Sequence, residues 1–193
     1  MLHGEKMRLK YIVPAVLILG IIALAILYSV FQGNSHSSPG IRNITVGMKA
    51  PSYSFLLENG SEANVSSYRG HEVLFWFVAT WCSTCAQGNS TLNGNYSFFR
   101  KRGVKIVELE LYKDLGYAGQ PIGEFVSSYA PDAYANGTIT PGVAGYNITA
   151  AYDPEGYLDI YYLVSANGTV LYINGSPSVT LPQLKDAINA SIE

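Results

Sequence analysis

The sequence predicts an α/β domain with one mixed sheet and helices on both faces, and three observations carry that expectation. Residues 72–79 (EVLFWFVA) and 104–111 (VKIVELEL) are continuous apolar runs of the kind that mark strands covered on both faces. Between them residues 83–102 have helical length, with Leu92, Tyr96 and Phe99 on one face and Arg100, Lys101, Arg102 and Gly103 as a C-terminal signal, although Gly88 and Gly94 weaken the pattern. Near the end, 161–164 and 169–173 flank Ser165-Ala166-Asn167-Gly168, a hairpin signal. A strand-helix-strand core followed by an antiparallel pair and a last helix gives such a sheet.

The remaining elements follow from turn chemistry. Residues 52–57 and 62–66 flank Glu58-Asn59-Gly60-Ser61, which reads as an N-terminal hairpin. Residues 121–130 read as a short helix opening with Pro121, and 132–145 as a loop holding Asn136-Gly137 and Thr140-Pro141-Gly142. Residues 180–192 read as a closing amphipathic helix capped by Thr180. No internal repeat is visible.

Ahead of this domain, residues 11–31 are uncharged and mostly apolar within a chain of 193 residues. At ~1.5 Å per residue they span about 32 Å, enough to cross a bilayer and longer than the apolar part of a cleavable signal. Lys6, Arg8 and Lys10 against Glu5 predict a cytoplasmic N-terminus over 1–10 and an extracytoplasmic remainder. Residues 32–43 (QGNSHSSPGIRN) read as a flexible tether, leaving 44–193 as the folded domain. Ten of the 12 asparagines stand in Asn-x-Ser/Thr: Asn43, Asn59, Asn64, Asn89, Asn95, Asn136, Asn147, Asn167, Asn174 and Asn189. With 27 Ser and Thr in the chain, chance gives about two. All ten follow the apolar segment, so a glycosylated outer-surface protein is expected. Beyond residue 31 there remain 9 Lys/Arg against 13 Asp/Glu with no block of like charge, which argues against a nucleic-acid partner.

About 160 residues can bury a core without staples, so the only two cysteines read as chemistry. Cys82-Ser83-Thr84-Cys85 lies where an apolar strand gives way to a helix. Cys82, at the helix N-terminus, meets the positive end of the helix dipole and is the expected nucleophile, with Cys85 as the resolving thiol and Trp81 and Thr80 walling the sulfur. No cofactor beyond this redox pair is expected. A zinc site lacks ligands, because the histidines are only His3, His36 and His71. Copper held by Cys82 and Cys85 in a metallochaperone, and an inert disulfide in a non-catalytic surface module, are the alternatives from other classes.

The outer part resembles the membrane-anchored TlpA/ResA branch of thioredoxin-like thiol-disulfide oxidoreductases. The resemblance is carried by Val46-Gly47-Met48-Lys49-Ala50-Pro51-Ser52-Tyr53, Ser67-Tyr68-Arg69-Gly70-His71, Val78-Ala79-Thr80-Trp81-Cys82-Ser83-Thr84-Cys85 and Tyr162-Leu163-Val164-Ser165-Ala166-Asn167-Gly168-Thr169-Val170. It implies a thioredoxin-like fold with an N-terminal hairpin extension, and the low charge and many tyrosines resemble archaeal surface proteins. The last stretch also resembles the copper-escort Sco relatives, whose CxxxC spacing and later histidine are absent here.

Three departures from the family pattern bear on the site. Where the family has a cis-proline before the third core strand, counting back from Asn167-Gly168 gives Asp159. A carboxylate there raises a thiol pKa by repulsion or accepts its proton; the other reading is a polar loop residue. Gly88 stands where relatives often carry an acid, and Trp76 where cytoplasmic thioredoxins bury an aspartate. Glu108, in register with Ile106, is then a candidate for proton handling at Cys85, the other reading being that Glu108 and Glu110 face solvent.

The expectation for function is a membrane-tethered, extracytoplasmic reductase or isomerase acting on a client protein's disulfide near the membrane surface, supplied by a separate membrane electron donor. With no histidine between the cysteines, no strong further thiolate stabilisation is expected, and hence a reducing couple.

Overall fold

The computed structural model describes residues 43–191. Residues 1–10, the apolar run 11–31 and the tether up to residue 42 lie outside the described residues. Among the described residues no helix is long and apolar enough to cross a membrane.

Seven strands form one sheet in the order β2-β1-β5-β4-β3-β6-β7. They are β1 Ser54–Leu57, β2 Glu62–Asn64, β3 Val73–Val78, β4 Lys105–Glu110, β5 Ile139–Ala144, β6 Ile160–Val164 and β7 Val170–Gly175. β3, β4 and β5 run parallel, while β1 and β6 flank them antiparallel and β2 and β7 form the edges. All six residues of β3 are buried, as its unbroken apolar run requires at the centre of a sheet covered twice. The helices are α1 Ser83–Asn93, α2 Tyr96–Lys101, α3 Ile122–Tyr129, α4 Pro131–Ala135, α5 Tyr146–Tyr152 and α6 Pro177–Ala190.

Strand alternation divides the core in two. Leu74, Trp76, Val78, Ile106 and Tyr161 point to one face and pack with Cys85 and Leu92 of α1, Phe125 of α3, and Leu184 and Ile188 of α6. Phe75, Phe77, Val107, Leu109 and Tyr162 point to the other and pack with Phe55 of β1 and Ile148 and Tyr152 of α5. On this second face Phe77 stacks on Tyr152 at 5.0 Å between centroids, and Tyr162 meets both rings edge-on. Each such buried ring contributes roughly 1.5–3 kcal/mol by leaving water.

Three expectations are corrected. Residues 132–145 are not a loop: they hold most of α4 and all of β5, which lies between β1 and β4. Thr-Pro-Gly sits inside that strand, since the Pro141 carbonyl still accepts from Glu58 N at 3.0 Å. Gly142 is needed because a Cβ there would stand 2.6 Å from the Leu56 carbonyl oxygen of β1. The helix expected over 83–102 breaks into α1 and α2 at Gly94-Asn95. The Asn95 side chain donates to the Thr91 carbonyl at 2.8 Å, taking the acceptor its own N–H would use in a continuous helix. The last helix starts before Thr180, with Pro177 in its first turn. Thr180 Oγ1 instead bonds back to the Gly175 carbonyl at 2.7 Å and pairs with Tyr161 Oη. α5 was not foreseen at all.

The sequons differ in access. Asn43, Asn59, Asn136, Asn147, Asn167 and Asn189 are exposed, whereas Asn89 is fully buried inside α1. In the folded protein Asn89 is closed to a glycan.

Candidate active site

β3 delivers the chain at Thr80-Trp81, and α1 begins one residue after Cys82. Cys82 is extended (φ −82, ψ 119) and caps the helix with sulfur, its Sγ accepting the Cys85 backbone N–H at 3.2 Å. Thr84 Oγ1 lies 3.1 Å from the same sulfur. Both cysteines are unbridged thiols; Cys82 is 7% exposed and Cys85 0%. The Cys85 side chain beside it, then the Thr84 hydroxyl and the N–H groups of this turn, outweigh burial and lower the Cys82 thiol to about 5. Of the two residues between the cysteines, Thr84 supplies a hydroxyl contact to this sulfur where no histidine stands. Cys85 is pushed strongly upward, first by its bond with Cys82, then by burial and by the charge of Asp159. One sulfur is thus held as thiolate and the other as thiol.

Asp159 lies at the turn into β6 and is 3% exposed. Leu158 and Asp159 both adopt left-handed backbone (φ 61 and 55), an arrangement that costs about 1 kcal/mol or more per residue and is held here by neighbours. Asp153 holds the preceding N–H groups of Tyr157 and Leu158, and the Asp159 carbonyl accepts from Ser176 N at 2.8 Å. Asp159 Oδ1 accepts from Trp76 Nε1 at 2.9 Å. Burial raises its carboxyl to about 6 against the lowering effect of the Trp76 and Ser176 side chains. The residue reached by counting back from Asn167-Gly168 is thus a buried carboxylate at the turn into β6, bonded to Trp76, and not a solvated loop residue.

Glu108 is 0% exposed on the same sheet face, in register with Trp76. Its Oε1 accepts from Asn89 Nδ2 at 2.7 Å. Burial raises it to about 8, opposed by Asn89 and reinforced by the Asp159 charge. The alternation argument thus places Glu108 correctly, and the solvent-facing reading fails for it. Glu110 is half-buried and is also raised, to about 7, by burial and by Asp114. Among the described residues, five buried side-chain polar atoms lack a partner, and three of them, Asn89 Oδ1, Glu108 Oε2 and Asp159 Oδ2, belong to this one polar group beneath the cysteines.

Trp81 stands at the rim, 40% exposed, its ring tilted against that of Tyr117 at 4.9 Å between centroids. Its Nε1 donates to the Asp114 carbonyl at 2.8 Å. The Asp114 side chain accepts from Thr80 N at 2.9 Å and Thr80 Oγ1 at 2.6 Å, tying the turn Tyr112–Gly116 to the end of β3. Gly119 closes over this contact, since a Cβ there would stand 1.7 Å from Asp114 Oδ2. Sequence reasoning missed Asp114, Asn89 and the thiol contact of Thr84, and the chain carries no local motif that marks them. Among the described residues, no group of three or more His, Cys, Asp and Glu side chains stands close enough together to hold a metal ion.

A thioredoxin-like domain with a cysteine pair at a strand-to-helix junction is the class that this fold and site define. Residues 46–114 match the model of the AhpC/TSA family. The thiol-disulfide oxidoreductase ResA of Bacillus subtilis is 28% identical over 125 residues, 65% of this chain and 65% of that protein. ResA of Geobacillus kaustophilus is 32% identical over 68 residues, 35% of this chain and 39% of that one. The chain therefore covers less than two thirds of either relative. Among solved structures, a secreted Mycobacterium tuberculosis disulfide oxidoreductase homologous to E. coli DsbE superimposes with a TM-score of 0.53 at 20% identity, covering 72% of this chain and 95% of that one. Copper-bound Arabidopsis thaliana ScoI does so with a TM-score of 0.55 at 14% identity, covering 74% and 99%. These likenesses show the fold, which is thioredoxin-like; the site distinguishes the chemistry.

Proposed function

We propose that the protein is a thiol-disulfide oxidoreductase that reduces or isomerises disulfides of client proteins, with its domain held outside the cytoplasm by residues 11–31. The observation that carries this reading is the asymmetry of the pair: Cys82 capped as a thiolate and Cys85 kept protonated above a buried carboxylate. Likeness to ResA oxidoreductases supports the same reading.

In the reductive direction Cys82 thiolate attacks one client sulfur, forming a mixed disulfide and releasing a client thiolate that takes a proton from water. Cys85 then gives its proton to the Asp159 carboxylate, and its thiolate attacks Cys82 Sγ. The Cys82–Cys85 disulfide forms, the second client thiolate leaves and is protonated, and two electrons have passed to the client. Glu108, protonated near neutral pH beside Asn89, limits the negative charge behind Asp159. Trp81 walls the thiolate at the rim. A membrane electron donor restores the dithiol, since a single membrane helix carries no electrons, and exposed sequons carry glycans on the outer surface.

A thiolate held at about 5 favours the reduced form and moves the couple upward from strongly reducing values. A potential between about −270 and −180 mV is expected, and one as high as about −120 mV would make the protein an oxidant instead. The decisive experiment is trapping with Cys85→Ser, which leaves Cys82 joined to its client for identification by mass. Stoichiometric Cu(I) retention without any such adduct or disulfide turnover would replace this reading with a metal-carrying role.

A further inference from the structure

Trp76 sits in the middle of β3 with no solvent exposure, and its Nε1–H donates to Asp159 Oδ1 at 2.9 Å. An indole nitrogen is a donor only, so Oδ1 is held as an acceptor whether or not the carboxyl is protonated. Asp159 Oδ2 is buried and has no hydrogen-bond partner. A proton taken up by this carboxyl is therefore directed to Oδ2. The indole is itself held from the helix side. A Cβ on Gly88 would stand 2.7 Å from Trp76 Cζ2 and 2.9 Å from Cη2, so the ring occupies the space that a side chain at 88 would fill. Gly88 lies three residues after Cys85 on α1, on the neighbouring turn of the same helix face. One ring thus touches both the helix that bears the thiols and the carboxyl beneath them.

We propose that Trp76, seated against Gly88, is a positioning residue of the reaction: it fixes the Asp159 carboxyl so that Oδ2 is the oxygen that exchanges a proton with Cys85. This rests on Asp159 being the proton acceptor in the resolving step. In that step the Cys85 S–H bond breaks, the proton goes to Oδ2, and the electron pair stays on sulfur and attacks Cys82 Sγ. The indole gains and loses nothing. The titratable groups facing Asp159 are Cys82 at the N-cap of α1, Cys85 within that helix, Glu108 from β4 and Tyr161 from β6, all acids whose charged forms repel the carboxylate. Trp76 is the leading contact that favours the charged carboxylate against them.

The test uses the full reduced chain in detergent with ¹³C-labelled aspartate carboxyls, the Asp159 signal being assigned by its loss in Asp159→Asn. Trp76 is replaced by Phe and, separately, by β-(3-benzothienyl)alanine, which puts sulfur in place of the indole N–H at nearly unchanged shape. The Asp159 titration midpoint is expected to rise by about one pH unit in both, as loss of a hydrogen bond to a charged group implies. The pH midpoint for resolution of a Cys82 mixed disulfide is expected to move with it. An Asp159 midpoint that stays within a few tenths of the wild-type value in the isosteric variant overturns the positioning role, and that variant guards against a Phe variant that fails to fold. Failure of the underlying reading looks different: Asp159→Asn would then leave the rate and pH profile of resolution unchanged, whatever the Trp76 variants do to the carboxyl signal.

Discussion

The two faces of the central sheet are written by alternate residues of the same strands, yet they differ in kind. Toward α5, Phe75, Phe77, Leu109, Tyr152 and Tyr162 close an apolar and aromatic core in which the two buried hydroxyls find acceptors, Tyr152 Oη on the Pro51 carbonyl and Tyr162 Oη on the Tyr152 carbonyl. Toward α1, the positions beside them hold Trp76 and Glu108, and the packing includes Asn89, Asp159 and two thiols. The first face carries none of the groups placed in the reaction. The second leaves three buried polar atoms unpartnered, a cost of about 1–3 kcal/mol each that packing alone does not require. In the proposed mechanism stability and proton chemistry are thus separated by the width of one sheet, and substitutions should sort by face.

The largest effect falls on the thiol face. Cys82→Ser should abolish disulfide turnover while leaving the thermal transition near its wild-type value, measured with a disulfide-linked fluorescent peptide. Asp159→Asn should slow resolution of a mixed disulfide by about 100-fold with client attack little changed, as removal of a proton acceptor implies, and stopped-flow kinetics separates the two steps. On the opposite face, Phe77→Ala should cost about 3–5 kcal/mol in urea unfolding and leave the pH dependence of thiol alkylation unmoved. If Phe77→Ala shifted the thiol titration, the separation of the faces would be lost.

Glu108→Gln sharpens the contrast through pH. The folded carboxyl is raised from 4.5 to about 8, so folding favours its protonated form. Its contribution is fully present below about pH 4.5 and is lost as pH rises through 8, because the unfolded chain is charged over that range and the folded one is not. Gln keeps the shape without the charge. The variant should therefore gain stability relative to wild type as pH increases from 5 to 8, by up to about 1.4 kcal/mol per pH unit in paired urea titrations. The smallest effect is expected for Thr84→Ala, which removes the 3.1 Å contact to Cys82 and should raise that thiol's midpoint by less than about one pH unit.

Much of this was legible in the sequence, for local reasons. β3 and β4 declare themselves because strands covered twice must be apolar throughout, and the cysteine pair is read from the junction at which it stands. Asp159 follows from the family resemblance, as the residue that counting back from Asn167-Gly168 puts where the family has its cis-proline, and Glu108 from strand alternation, which depends only on neighbours in the chain. β5 was hidden because Thr140-Pro141-Gly142 has turn composition, and what makes it a strand is the pairing offered by β1 and β4. The support of the site was hidden for the same reason. Asp114 meets Thr80 across 34 residues and Trp76 meets Asp159 across 83, contacts that no local pattern records. The break at Asn95 turned on a single side-chain bond to Thr91.

The central claim is that the two sulfurs are held in opposite protonation states. Alkylation of the reduced protein with iodoacetamide across pH 4 to 10, read at each cysteine by mass, tests it directly. The account predicts a Cys82 midpoint near 5 with Cys85 unmodified through neutral pH. A Cys82 midpoint near 9, the ordinary thiol value, or Cys85 reacting first, would contradict it.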